Sequence, residues 1–145
     1  MREMSRQEWW DFASAGTRTG KLAVTRADGS PHVTPIWFVL NQTGDGDELI
    51  FNTGVDSVKG KALRRDPRLS LVVDDQEPLY SFVQFTATAG LHEDVDGMLP
   101  FSTAIGARYM GEGKAEAFGK RNAVPGEYLV RARITKVIAL ADLAG

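Results

Sequence analysis

Cysteine is absent from the 145 residues, which removes a disulfide framework, a thiolate nucleophile and any thiolate metal site in one stroke. Histidine is nearly absent too. His32 and His92 are the only two, and a lone histidine is weak evidence for acid–base chemistry, so no residue is assigned to catalysis and no metal site is expected. No apolar run approaches the length of a membrane span, and the charged segment Met1 to Trp10 lacks the apolar core of a signal peptide. A soluble, unprocessed, cytoplasmic protein is expected. Neither sign of charge dominates: 17 Lys and Arg against 19 Asp and Glu leave a net charge of −2. Counterion-release binding needs a cationic surface, so partners among nucleic acids or anionic membranes are not expected.

What remains is ordinary for a globular chain, with 43% hydrophobic and 25% charged residues, and its length suits one domain over 1–145. Ser5-Arg6-Gln7-Glu8 is a capping box that starts a helix, with Trp9, Phe12 and Ala13 on one face and Gly16 placed to end it. From Gly20 the pattern changes to strands. Lys21 to Arg26 and the run Pro31 to Leu40 flank the hairpin signal Asp28-Gly29. The distal half of the second run is apolar on both faces, which requires a curled sheet, a second subunit or a flat ligand to cover it. Pro31 and Pro35 lack ladder donors and suit an edge or bulge, leaving backbone groups near Thr34 to Trp37 to face a ligand. Further strands are expected over Glu48–Thr53, Leu69–Asp74, Tyr80–Leu91 and from Gly126, with Tyr128, Val130, Ala132 and Ile134 inward and Arg131 and Arg133 outward. Between the last two strands, Asp94 to Ala123 reads as one or two helices broken by glycines and Pro100. Six short, mainly hairpin-linked strands with few helices predict a mainly β fold, a small antiparallel barrel with peripheral helices.

The stretch Asn52 to Pro67 joins a strand to a short helix and concentrates cations. Ser57 is a good N-cap, so the first-turn N–H groups point outward beside the positive end of the helix dipole, where an anion can dock. Lys59 and Lys61 stand near that end, Arg64, Arg65 and Arg68 follow, and Pro67 stops the helix. The pattern fits a phosphate-binding corner. It equally fits a solvated basic face, the commoner fate of such a run.

Three segments together carry a family likeness: Gly20-Lys21-Leu22-Ala23-Val24-Thr25, then Asp28-Gly29-Ser30-Pro31-His32-Val33-Thr34-Pro35-Ile36-Trp37-Phe38, then Ser57-Val58-Lys59-Gly60-Lys61-Ala62-Leu63-Arg64-Arg65-Asp66-Pro67-Arg68. In order and spacing, from about Gly16 to Leu140, the chain resembles the pyridoxamine 5′-phosphate oxidase-like superfamily. It looks most like the branch that uses the deazaflavin coenzyme F420. The resemblance implies a six-stranded antiparallel split β-barrel of the FMN-binding type and a homodimer with cofactor sites at the subunit interface. It implies that the tricyclic ring lies against Thr34, Pro35, Ile36 and Trp37 and against Phe51, Asn52 and Thr53. Ser57, Lys59 and Lys61 match the phosphate-contacting pattern.

Two departures from the family pattern stand out. The chain ends Leu140-Ala141-Asp142-Leu143-Ala144-Gly145 without the paired arginines of pyridoxal-phosphate-forming oxidases, so that activity is not expected. Ala87 stands where many relatives carry glycine. The function the resemblance implies is an F420H2-dependent reductase that passes a hydride from the deazaflavin C5 to a planar conjugated or quinone-like small molecule. Such chemistry asks the protein to bind, orient and exclude water rather than to supply a base. Lys59, Lys61, Arg64 and Arg65 suit the long anionic tail of F420; FMN is the alternative cofactor. A non-catalytic carrier of F420 or flavin, or a haem-binding relative, is the reading from another class, although neither histidine sits in a clearly apolar run. Tyr80, Gln84 and Tyr109 are weak candidates for the substrate side.

Overall fold

A computed structural model describes all residues, 1–145. A two-residue strand β1 (Arg2–Glu3) precedes helix α1 (Arg6–Ser14), which begins with the capping box foreseen: Ser5 Oγ accepts from the Glu8 N–H, and the Glu8 side chain accepts from the Ser5 N–H. Gly16, at φ +52°, turns the chain out of the helix. Strands β2 (Gly20–Thr25) and β3 (Pro31–Ile36) form a hairpin, followed by β4 (Val39–Thr43) and β5 (Gly46–Gly54). Helix α2 (Val58–Arg65) leads to β6 (Arg68–Asp75) and the long β7 (Ser81–His92). Helices α3 (Val95–Met110) and α4 (Ala115–Asn122), joined by a single 3-10 turn, precede β8 (Glu127–Ala141).

The strands form one antiparallel sheet in the order β3-β2-β6-β7-β8-β5-β4, with β1 added beside β8. The sheet curls without closing, which makes it a split β-barrel. Its two terminal strands, β3 and β4, are consecutive in the chain. The run Pro31 to Leu40, expected as one strand, therefore breaks at Trp37-Phe38, and this dipeptide carries the backbone from one end of the sheet to the other. With β3 and β4 taken as two halves of that run, the six expected strands are all present.

The break is stabilised from outside the sheet. Phe38 is fully buried, its carbonyl accepts from Arg108 Nη1 at 2.7 Å, and its backbone N–H lies 3.3 Å from the Tyr109 hydroxyl. Backbone groups lost to the ladder thus find partners on α3, as buried polar groups must. Pro31 and Pro35 lie on β3, which pairs only with β2, the edge position that their missing donors suit.

Apolar side chains from the strands fill the barrel. Leu22, Phe38, Leu49, Phe51, Leu71, Val73, Val83, Phe85 and Val130 are fully buried, and Trp9 packs edge-on against Phe85 from α1. A second, smaller cluster of Ile50, Met98, Ala123 and Leu129 lies outside the barrel, where α3 covers β5 and β8. This cover explains why Tyr128, Leu129 and Val130 are all buried instead of alternating. It also corrects the expectation for Arg131, which is only one-third exposed: its guanidinium sits over Phe101 and bonds Glu48 at 2.6 Å. Arg133 is exposed as expected, and Ile134 is half-buried.

Candidate functional site

The end of β5 and the start of α2 make the corner. Ser57 caps the helix: its Oγ accepts from the Gly60 N–H at 3.0 Å, donates to the Gly54 carbonyl at 2.7 Å and lies 2.8 Å from Thr53 Oγ1. With the Gly60 donor taken, helix geometry leaves the N–H groups of Val58 and Lys59 for an external acceptor. Gly60 is required here, because a Cβ at that position would collide with the Gly54 carbonyl oxygen. The strand end and the helix start are therefore held in direct backbone contact.

A cleft of about 320 Å³ opens beside this corner. Ile36 and Trp37 line one wall, Asn52, Thr53 and Gly54 come from β5, and Ser57 and Lys59 from α2. Ile105, Asn122 and Glu127 complete it from α3, α4 and the start of β8. Six of the ten residues expected at a cofactor site, Ile36, Trp37, Asn52, Thr53, Ser57 and Lys59, thus meet in one depression.

The other four do not line it. Thr34 and Pro35 lie further back on β3, with Pro35 exposed, and Phe51 is fully buried in the barrel core. Lys61 is exposed and two positions from Lys59, an offset that places it on another side of the helix. The arginines expected to extend a cationic lip are committed elsewhere. Arg64 donates to the Tyr128 hydroxyl at 2.8 Å and the Val55 carbonyl at 3.2 Å, and Arg65 donates to the Thr25 carbonyl at 3.3 Å. Arg68 grips Asp66 through two bonds and holds that carboxyl down at about 2.

Trp37 is positioned by a stack. Its ring lies parallel to Tyr109, with centroids 5.1 Å apart and planes 4° from coplanar, and Phe118 approaches it at 54°. The Tyr109 hydroxyl donates to the Arg18 carbonyl at 2.8 Å, so this tyrosine supports the wall rather than offering a proton to the cleft. Arg108, beside it, donates to the carbonyls of Ala13, Gly16, Arg18 and Phe38 and lies over the Phe38 ring. Of the remaining candidates, His32 faces Arg26 with Nδ1 2.9 Å from its guanidinium, and His92 is exposed. Tyr80 belongs to a different depression, near Lys21 and Asp74, and Gln84 and Ala87 do not reach the cleft.

Two buried polar atoms in the cleft have no partner: Asn52 Nδ2 and Glu127 Oε2. Asn52 is oriented by Ser102, whose hydroxyl donates to Asn52 Oδ1 at 2.8 Å. Burial raises the Glu127 carboxyl above its ordinary value, and the charge of Lys59 pulls it partly back. Each such orphan costs about 1–3 kcal/mol. One carboxyl, free helix N–H groups, one ammonium and a flat aromatic wall fit a flat ring with an anionic arm. Glu127, Asn122, Ile105 and Ser102 escaped the sequence reading because they lie far from the corner in the chain.

Known proteins share this fold. No curated protein matches. Among solved structures, a conserved hypothetical protein from Mycobacterium tuberculosis is 26% identical, covers 98% of this chain and 89% of its own, and superposes with a TM-score of 0.80. A protein described as an F420 reductase is 20% identical, with coverage of 94% and 98% and a TM-score of 0.68. An FAD-binding protein from Mesorhizobium loti is 20% identical, with coverage of 95% and 93% and a TM-score of 0.66. The family model for pyridoxamine 5′-phosphate oxidase matches residues 8–141, and the chain belongs to that family.

Proposed function

We propose that the protein is an F420H2-dependent reductase that transfers a hydride to a planar conjugated or quinone-like small molecule. The observation that carries this reading is the charge of the cleft. Lys59 and Glu127 are the only charged residues among its lining groups, so an ionised pair contributes no net charge. The group that F420 would seat at the corner is a phosphodiester, which bears one negative charge, its glutamate carboxylates following further along the arm, whereas FMN ends in a monoester that bears nearly two at neutral pH. The exposed helix N–H groups and one ammonium suit the single charge better. A structural relative described as an F420 reductase supports the same direction.

Bound there, a reduced deazaflavin supplies the hydride. The chain's own residues hold and shield it. Trp37 offers a flat wall fixed by Tyr109, Asn52 lines the β5 side, and Val58, Lys59 and Ser57 surround the anionic arm. The free edge of β3, which runs into the cleft at Ile36 and Trp37, leaves Val33 63% exposed and Pro31 and Pro35 exposed as well. A second copy of the chain set against this edge would cover the ring and exclude water, so the working unit is a homodimer.

Titration of the purified protein with F420 and with FMN tests the cofactor. Tighter binding of F420 is expected, and preference for FMN would replace this reading with an FMN-dependent oxidoreductase of the same fold. Oxidation of F420H2 in the presence of quinones and conjugated lactones is expected next. Binding without turnover of any acceptor would make the protein a carrier.

A further inference from the structure

Glu127 has no counterpart among the residues that the sequence marked for the site, yet the fold fixes it there firmly. It opens β8 directly opposite Gly54, the last residue of β5, and the Val55 N–H donates to the Gly126 carbonyl at 2.9 Å one step away. Gly126 sits at φ +89°, a conformation that turns the chain into the strand. The register thus places a carboxyl beside the capped start of α2, on the floor of the cleft that also holds Lys59. Its Oε2 is buried and unpartnered. A corner built only to hold an anion has no use for a carboxylate, because two like charges in a half-buried site repel.

We propose that Glu127 is the specificity residue of this cleft: its carboxylate offsets the charge of Lys59, so that the corner accepts a singly charged phosphodiester and disfavours a doubly charged phosphate monoester. This inference rests on the cofactor reading above and adds the group that enforces it. The preference follows from Coulomb's law, since the second charge of a monoester meets the repulsion of Glu127 with no further cation among the lining residues to offset it. Loss of the carboxylate should therefore help a dianion about as the square of its help to a monoanion.

Dissociation constants for three ligands that share one ring measure this at pH 8: the deazaflavin without its arm, its 5′-phosphate monoester, and the methyl ester of that phosphate, a phosphodiester with a single charge. The ratio of each ester to the arm-less ring isolates the contribution of the charged group from that of the ring. Glu127→Gln, which keeps shape and removes charge, is expected to raise that contribution by roughly threefold for the diester and by roughly tenfold for the monoester. Glu127→Asp keeps the charge and is expected to preserve the discrimination. Equal changes for both esters, or none, would overturn the role of Glu127 while leaving the F420 reading intact. Failure of the unaltered protein to bind F420 at all would instead remove the cofactor reading, and this inference with it.

Discussion

At the residue scale, Lys59 and Lys61 are separated by the helix that carries both. Lys59 reaches the cleft and Lys61 does not, although in the sequence they look equivalent. Lys59→Ala is expected to weaken cofactor binding by about 1.5–3 kcal/mol, the worth of a charged hydrogen bond. Lys61→Ala should cost no more than about 0.5 kcal/mol, because an exposed charge acts weakly at a distance. Isothermal titration of the two variants separates them. Glu127 yields a stability prediction as well. Burial raises its folded-state value above the ordinary 4.5, so the native state holds that proton more tightly than the unfolded chain does. The resulting stability is present in full below the unfolded value and is lost as pH rises through the raised folded one. Glu127→Gln is therefore expected to melt at a higher temperature than the parent at pH 8, with the difference closing as pH falls toward 4.5. Ser57 was legible in the sequence because capping is a local rule, decided within three residues. Glu127, Asn122 and Ile105 were not, because strand register and helix docking bring them to the cleft from distant parts of the chain.

At the scale of elements, two junctions hold the site. The first is the contact between α2 and the end of β5 through Gly60. Gly60→Ala is expected to cost about 1–3 kcal/mol, the usual penalty of forced overpacking. Gly44, which has open space around it, provides the control, and Gly44→Ala should stay within about 0.5 kcal/mol in urea denaturation. The second is Arg108, whose guanidinium gathers four backbone carbonyls from α1, the loop after it and the break after β3. Burial lowers its value from the ordinary one, and no carboxylate bonds it, so peptide dipoles carry its solvation. Arg108→Met is expected to lose about 3 kcal/mol of stability and to loosen the stack of Trp37 on Tyr109, which tryptophan fluorescence would register. Periodicity revealed α3 and α4 as helical but not where they dock. The one strand drawn too long, Pro31 to Leu40, failed for a specific reason: its apolar character persists through Trp37 and Phe38, and hydropathy does not register a change of sheet partner.

At the scale of the whole molecule, the split barrel was legible because hairpin-linked alternating strands admit few closed solutions, and the order of segments matched a known pattern. The free edge of β3 is where a second copy is expected. Val33→Glu, at a residue already exposed in the single chain, should leave the fold unchanged yet shift sedimentation from dimer toward monomer and make cofactor affinity depend on protein concentration. An unaltered dimer would place the interface elsewhere. The seam of the barrel has a consequence of its own. Its two rims are joined covalently only through Trp37-Phe38, and the indole of Trp37 forms part of the cleft. Spreading the rims and reshaping the ring wall are thus a single movement, and a guest wedged against that indole acts as a clasp. Amide exchange along both β3 and β4 should slow together when the guest arrives, although β4 itself never touches it.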